Sequence, residues 1–198
     1  MTQPSSAHAA KVIAVTVAAA VGGFLFGFDS SVINGAVDSI EQNFALSSFV
    51  TGFAVAIALL GCAVGAWFAG RLADRWGRKR VMVLGSILFL VSSTGSGLAF
   101  SVPDLMLWRV LGGLGIGIAS VIAPTYISEI APARYRGGLA SLQQLAITLG
   151  IFAALLSDAV LQNAAGGASN DLWWGLEAWR WMFLVGVVPA AVYGILAV

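Results

Sequence analysis

The sequence predicts an all-α membrane protein of six transmembrane helices, and three observations carry that expectation. Hydrophobic residues make up 59% of the 198-residue chain and charged ones 10%, against roughly 25% charged in ordinary soluble domains. The apolar residues fall into six long segments, each near the about 20 residues that a helix needs to cross the hydrocarbon. The basic residues collect in alternate connections, the asymmetry of a multi-pass chain. Lipid offers the backbone no partner outside a helix or a closed barrel, and runs this long without alternation are helices.

Helices are expected at about 11–37, 49–73, 81–100, 104–127, 137–161 and 180–198, after a short cytoplasmic tail at 1–10 that contains His8. From Val12 to Val37 the first segment carries one charge, Asp29. A charge at membrane depth costs at least about 2.5–3.5 kcal/mol, so it persists where something compensates it. The second segment holds the single cysteine, Cys62, alone in mid-helix, which excludes a disulfide or a thiolate-metal site. Arg71, Arg75, Arg78, Lys79 and Arg80 then form a tight charged connection to the third segment.

The fourth segment contains Arg109, read as the one other ionisable group of comparable depth. It also holds Gly112, Gly113, Gly115 and Gly117. A phosphate-cradling loop would need these glycines between a strand and a helix N-terminus, whereas here they lie inside a span. Small residues recur four apart: Gly23 with Gly27, Gly61 with Gly65, Ala66 with Gly70, Gly113 with Gly117. They permit close helix approach in a solvent where packing drives association. Pro124 and Pro189, in the fourth and sixth segments, each remove a backbone donor and are expected to kink their helices.

Arg134 and Arg136 precede the fifth segment and Lys11 lies at the start of the first, so these connections share the cytoplasmic face. The opposite loops carry Asp38, Glu41, Asp104, Asp171 and Glu177 with Arg180. The stretch Gln162 to Ala178, with Gly166, Gly167, Ser169 and Asn170, is expected to be a flexible outer loop. Trp173, Trp174, Trp179 and Trp181 are expected to be interfacial anchors beside it. With opposite signs segregated by face, the net charge of +1 says nothing about partners, and nucleic-acid binding finds no support. The first segment is too long for the apolar region of a cleaved signal peptide.

At 1.5 Å per residue, Asp29 lies roughly 12 Å below the outer end of the first helix and Arg109 roughly 7 Å below that of the fourth. The arginine can bridge the difference. A neighbouring cation favours an ionised carboxylate and desolvation favours a neutral one, so small movements can tip the balance. That is the physics of a proton-coupled switch; a static pair fixing helix register is the plain alternative. No nucleophile–base pair, metal cluster or cofactor motif points to an enzyme.

The order of residues in four stretches says more. Gly70-Arg71-Leu72-Ala73-Asp74-Arg75-Trp76-Gly77-Arg78-Lys79-Arg80 resembles the signature loop of the major facilitator superfamily. Gly22 to Asp29, Arg109 to Gly117 and Tyr126 to Gly137 are similar to the patterns of its sugar porter branch, in the same order along the chain. The resemblance implies the N-terminal bundle of that fold, a three-plus-three inverted repeat. It implies proton-coupled symport of a monosaccharide such as a hexose or pentose, with no cofactor. Asp29 paired with Arg109 is then the coupling site; facilitative members typically carry asparagine at the position of Asp29. Gln144 matches a glutamine that hydrogen-bonds a sugar hydroxyl, and Ile147, Ile151 and Phe26 complete the implied sugar contacts. Asp74, Arg78, Glu129 and Arg136 match a cytoplasmic charge network that closes the inner side by salt bridges to the other half.

Sugar porters have twelve helices, and the Pro-Glu-Ser-Pro-Arg motif expected just past the sixth is not reached here. A fragment lacking its C-terminal six-helix half is therefore expected, with a homodimeric half-transporter as the alternative. The implied partners are a sugar, a proton, membrane lipid and that half. The implied location is the plasma or inner membrane, multi-pass. A facilitative uniporter, a non-transporting scaffold and a drug exporter are the other readings. The last would typically show a Gly-Pro motif in the fifth helix, and residues 138–160 contain no proline.

Overall fold

The computed structural model describes residues 6–130 and 136–197, with side chains from Thr16 onward except those of Ile127, Ile130 and Arg136. The described elements are α1 (Ser6–Asn43), α2 (Ser48–Trp76), α3 (Arg78–Gly97), α4 (Val102–Ile130), α5 (Arg136–Ala165), β1 (Asp171–Trp173), β2 (Leu176–Glu177), α6 (Ala178–Val185) and α7 (Val187–Ala197). Six spans are long and apolar enough to cross a membrane, α6 and α7 together making the sixth.

Two helix pairs lock the bundle, and glycine makes both possible. On α1, a Cβ at Gly27 would run into the carbonyl oxygen of Ile147 on α5, and one at Gly150 into that of Phe24. On α4, a Cβ at Gly117 would strike the carbonyl oxygen of Cys62 on α2, and one at Gly65 that of Leu114. Gly23 against Gln143 repeats as Gly113 against Ala58. The α1–α5 seam is thus reproduced residue for residue by the α4–α2 seam, the mark of a three-plus-three repeat. Gly70, the exception among the expected small-residue pairs, meets nothing within 4 Å among the described residues.

α3 packs on α4 and on the sixth span, pinned by hydroxyls: Ser92 Oγ donates to the Trp108 carbonyl at 2.6 Å and Ser93 Oγ to that of Phe183 at 2.7 Å. Pro124 lies within an unbroken α4, whereas the sixth span breaks at Gly186. Pro189 sits in the first turn of α7, where a missing N–H costs no helical bond.

Several expectations are corrected. α1 begins at Ser6, so part of the supposed tail is helical, as alanines 7, 9 and 10 favour. The charged connection is no loop: Gly77 alone, at φ +85, separates α2 from α3, so its charges ride on helix ends. The outer stretch is ordered: α5 continues to Ala165, and β1 and β2 pair antiparallel around Trp174 and Gly175, both at positive φ. Trp179 is no interfacial anchor. It is fully buried, donates Nε1 to Glu177 Oε2 at 2.7 Å, and carries the Arg180 guanidinium 4.5 Å above its ring.

Candidate functional site

Glycine contacts set the rotation of α1 and α4, and that rotation decides what else the two helices present. With Gly23 and Gly27 turned to α5, Asp29 faces α4; with Gly113 and Gly117 turned to α2, Arg109 faces α1. Arg109 Nη1 donates to Asp29 Oδ1 at 2.7 Å, the two side chains 3% and 10% exposed. α1 runs six residues past Val37, to Asn43, so Asp29 lies roughly 21 Å from the helix end. The guanidinium also stands 5.7 Å from the ring centroid of Phe183 on α6, a favourable cation–π position.

The repeat register that lays Gly23 on Gly113 places Ala119 opposite Asp29 and Ala19 opposite Arg109. Both alanines are buried. The bundle is symmetric in its packing and asymmetric in its charge. A cavity of about 210 Å³ opens beside the pair between α1, α2 and α4, its wall mostly apolar, with Phe26, Leu59, Cys62 and Ile116 beside the hydroxyl-bearing Ser30. Of the two charged groups, the carboxylate alone can take up and release a proton, since a guanidinium stays charged.

The residues implied for sugar binding do not converge on this cavity. Phe26 lines it, while Gln144 and Ile151 lie exposed on α5 and Ile147 is half-buried against Gly23 and Gly27. Gln143, the neighbouring amide, packs on α1.

On the opposite membrane face, Arg78 joins two helix ends. Its Nη1 donates to Asp74 Oδ1 at 3.0 Å and to the Ala73 carbonyl at 3.3 Å, and its Nη2 to Glu129 Oε1 at 2.8 Å. Asp74, Arg78 and Glu129 therefore assemble as one group; the Arg136 side chain lies outside the described residues. Asp158 on α5 was missed by sequence reasoning, which treated Arg109 as the only other deep ionisable group. It is 3% exposed and thus as buried as the pair. The signal was present: a lone acid followed by three apolar residues, closer to the outer end than Asp29.

Six spans, two glycine seams related by an internal repeat, and a buried acid–base pair between the repeat-related helices define a major facilitator type of transporter bundle. The "Sugar (and other) transporter" family profile matches residues 15–198, and the chain belongs to that family. It is 53% identical over 98% of its length to a "Glucose transport protein" of Synechocystis, covering 42% of that protein. It is 38% identical to an "Arabinose-proton symporter" of Bacillus subtilis, over 92% of this chain and 38% of that one. Among solved structures, a proton:xylose symporter bound to 6-bromo-6-deoxy-D-glucose superposes with a TM-score of 0.86 at 31% identity, over 96% of this chain and 45% of that one. The chain spans less than half the length of these relatives.

Proposed function

We propose that this chain is the N-terminal six-helix half of a proton-coupled monosaccharide symporter working by alternating access. The observation that carries the reading is the Arg109–Asp29 contact at 2.7 Å beside a cavity of about 210 Å³. Two relatives named as sugar–proton symporters, for arabinose and for xylose, support the sugar and the proton as substrates. Asp29 rather than asparagine favours symport over facilitated diffusion.

In this reading Asp29 accepts the proton and Arg109 loses its partner when it does, which frees α1 to move against α4. Gln144, with Ile147, Ile151 and Phe26, contacts the sugar from one side, and the C-terminal half supplies the other. That half would also cover apolar surface left exposed on α2 and α5, such as Leu59 and Leu145. Arg78 with Asp74, Glu129 and Arg136 closes the cytoplasmic side, and the N-terminus lies in the cytoplasm of a cell whose plasma or inner membrane holds the protein. Transport, not covalent chemistry, is the activity.

The test is Asp29→Asn in the intact protein reconstituted in liposomes. Uphill sugar accumulation driven by a proton gradient is lost while sugar exchange continues. Undiminished accumulation in the variant would overturn the reading.

A further inference from the structure

Asp158 stands outside the coupling pair, and among the described residues no side chain bonds to it; the polar group beside its carboxyl is the backbone N–H of Gly35. Neither Oδ1 nor Oδ2 has a hydrogen-bond partner, and the residue is 3% exposed. Its place is the α1–α5 seam, against the backbone of Gly35. A Cβ at Gly35 would come within 2.6 Å of the Asp158 Cβ and 2.7 Å of its Oδ2. Only a glycine lets the carboxyl sink this far.

Among the described residues no opposite charge compensates it. On the elements packed against α5, the outer-side charged groups are Asp38 and Glu41 of α1, Asp104 of α4, Asp171 of β1 and Arg180 of α6. Arg180 is engaged by Glu177, Asp29 further down α1 is engaged by Arg109, and among the described residues no cation pairs with Asp158. Ser39 of α1 accepts from Ser169 Oγ at 3.0 Å, and no hydrogen bond joins its hydroxyl to Asp158. An ionised carboxylate so placed would forfeit its hydration for no more than the Gly35 backbone N–H, and a buried acid in that position takes a proton instead.

We propose that Asp158 is a second proton-binding site of this bundle, occupied in this conformation and exchanging its proton only when the α1–α5 seam loosens. The exchange is a plain deprotonation: the O–H bond of the carboxylic acid breaks, the proton passes to water, and the carboxylate left behind must be hydrated. Hydration requires α1 and α5 to part at Gly35. The site is independent of the Asp29 reading, and it ties the protonation state of one residue to the spacing of two helices.

Infrared spectroscopy of the intact protein in lipid bilayers at about pH 6, where solvated carboxyls are ionised, reads the site directly. A carboxylic C=O band that shifts in heavy water is expected in the wild type and in D29N, and is expected to vanish in D158N. A D158N spectrum that superimposes on the wild type would overturn the proposal. So would the absence of the band in D29N, a result that needs no change at Asp158 and no assumption that D158N folds. Because D29N transport reads the other carboxyl, the two proposals fail separately.

Discussion

Arg109 holds Asp29 through a single contact, Nη1 to Oδ1 at 2.7 Å, while among the described residues its buried Nε has no partner. One strong bond rather than a bidentate fork leaves the pair separable. It also makes the two residues unequal as structural members. A carboxylate that loses its cation can become neutral by taking a proton, whereas a guanidinium that loses its anion cannot shed its charge. Asp29→Leu is therefore expected to destabilise more than Arg109→Leu, by a margin within the about 3–5 kcal/mol that breaking a buried pair costs. The double replacement should recover much of the loss. Thermal unfolding of the three variants in detergent checks the order; equal losses in the single variants would remove the argument.

The two glycine seams make equivalent demands. Gly27→Ala and Gly117→Ala each push a methyl into a facing backbone carbonyl, at Ile147 and at Cys62. Backbone cannot rotate away as a side chain can, so each is expected to cost at least about 1–3 kcal/mol. Gly70→Ala meets open space and should be neutral or stabilising by up to about 1 kcal/mol. Melting temperatures of the three variants compare them directly.

What could be read from sequence tracks what each property depends on. Span number depends on hydropathy, which is local, and it was legible. So was the Asp29–Arg109 pair, because two opposite charges deep in lipid have few alternatives to each other. Burial of Trp179 was not legible, since it depends on Glu177 arriving from a hairpin whose turn residues, Trp174 and Gly175, gave little signal. Asp158 was overlooked in a span expected to stop near 161; α5 runs to Ala165, and the carboxyl is buried against Gly35 of α1. Nor could sequence say which of Gln143 and Gln144 faces α1. Neighbours on a helix differ by about 100°, and only the glycine contacts settle the rotation.

Arg78 bonds to Asp74 on its own side and to Glu129 across to α4, with both contacts partly exposed. Salt screens such charges over about 8 Å at physiological ionic strength. Glu129→Gln is therefore expected to leave the melting temperature nearly unchanged and yet to weaken closure of the inner face. The measurable outcome is a several-fold weaker apparent affinity for external sugar in the intact protein, with the wild type drifting toward the variant as salt is raised. A variant that melted early with unaltered affinity would make the network structural.

The two adjacent amides of α5 offer the sharpest separation of binding from packing. Gln144 is exposed, and among the described residues its side-chain amide makes no hydrogen bond, so the fold asks nothing of it. An unengaged amide carries both donor and acceptor, which is what a sugar hydroxyl requires. Gln143 instead lays its side chain on Gly23, in the seam itself. Gln144→Ala should leave the melting temperature unchanged and weaken sugar binding about tenfold, the worth of roughly one hydrogen bond at 1.4 kcal/mol. Gln143→Ala should do the reverse, loosening the seam with little effect on affinity. Equilibrium sugar binding and thermal unfolding, measured on both variants of the intact protein, decide the matter. If affinity followed Gln143 instead, α5 would have to turn by about one residue before sugar is bound, and the seam glycines would then be part of the transport motion.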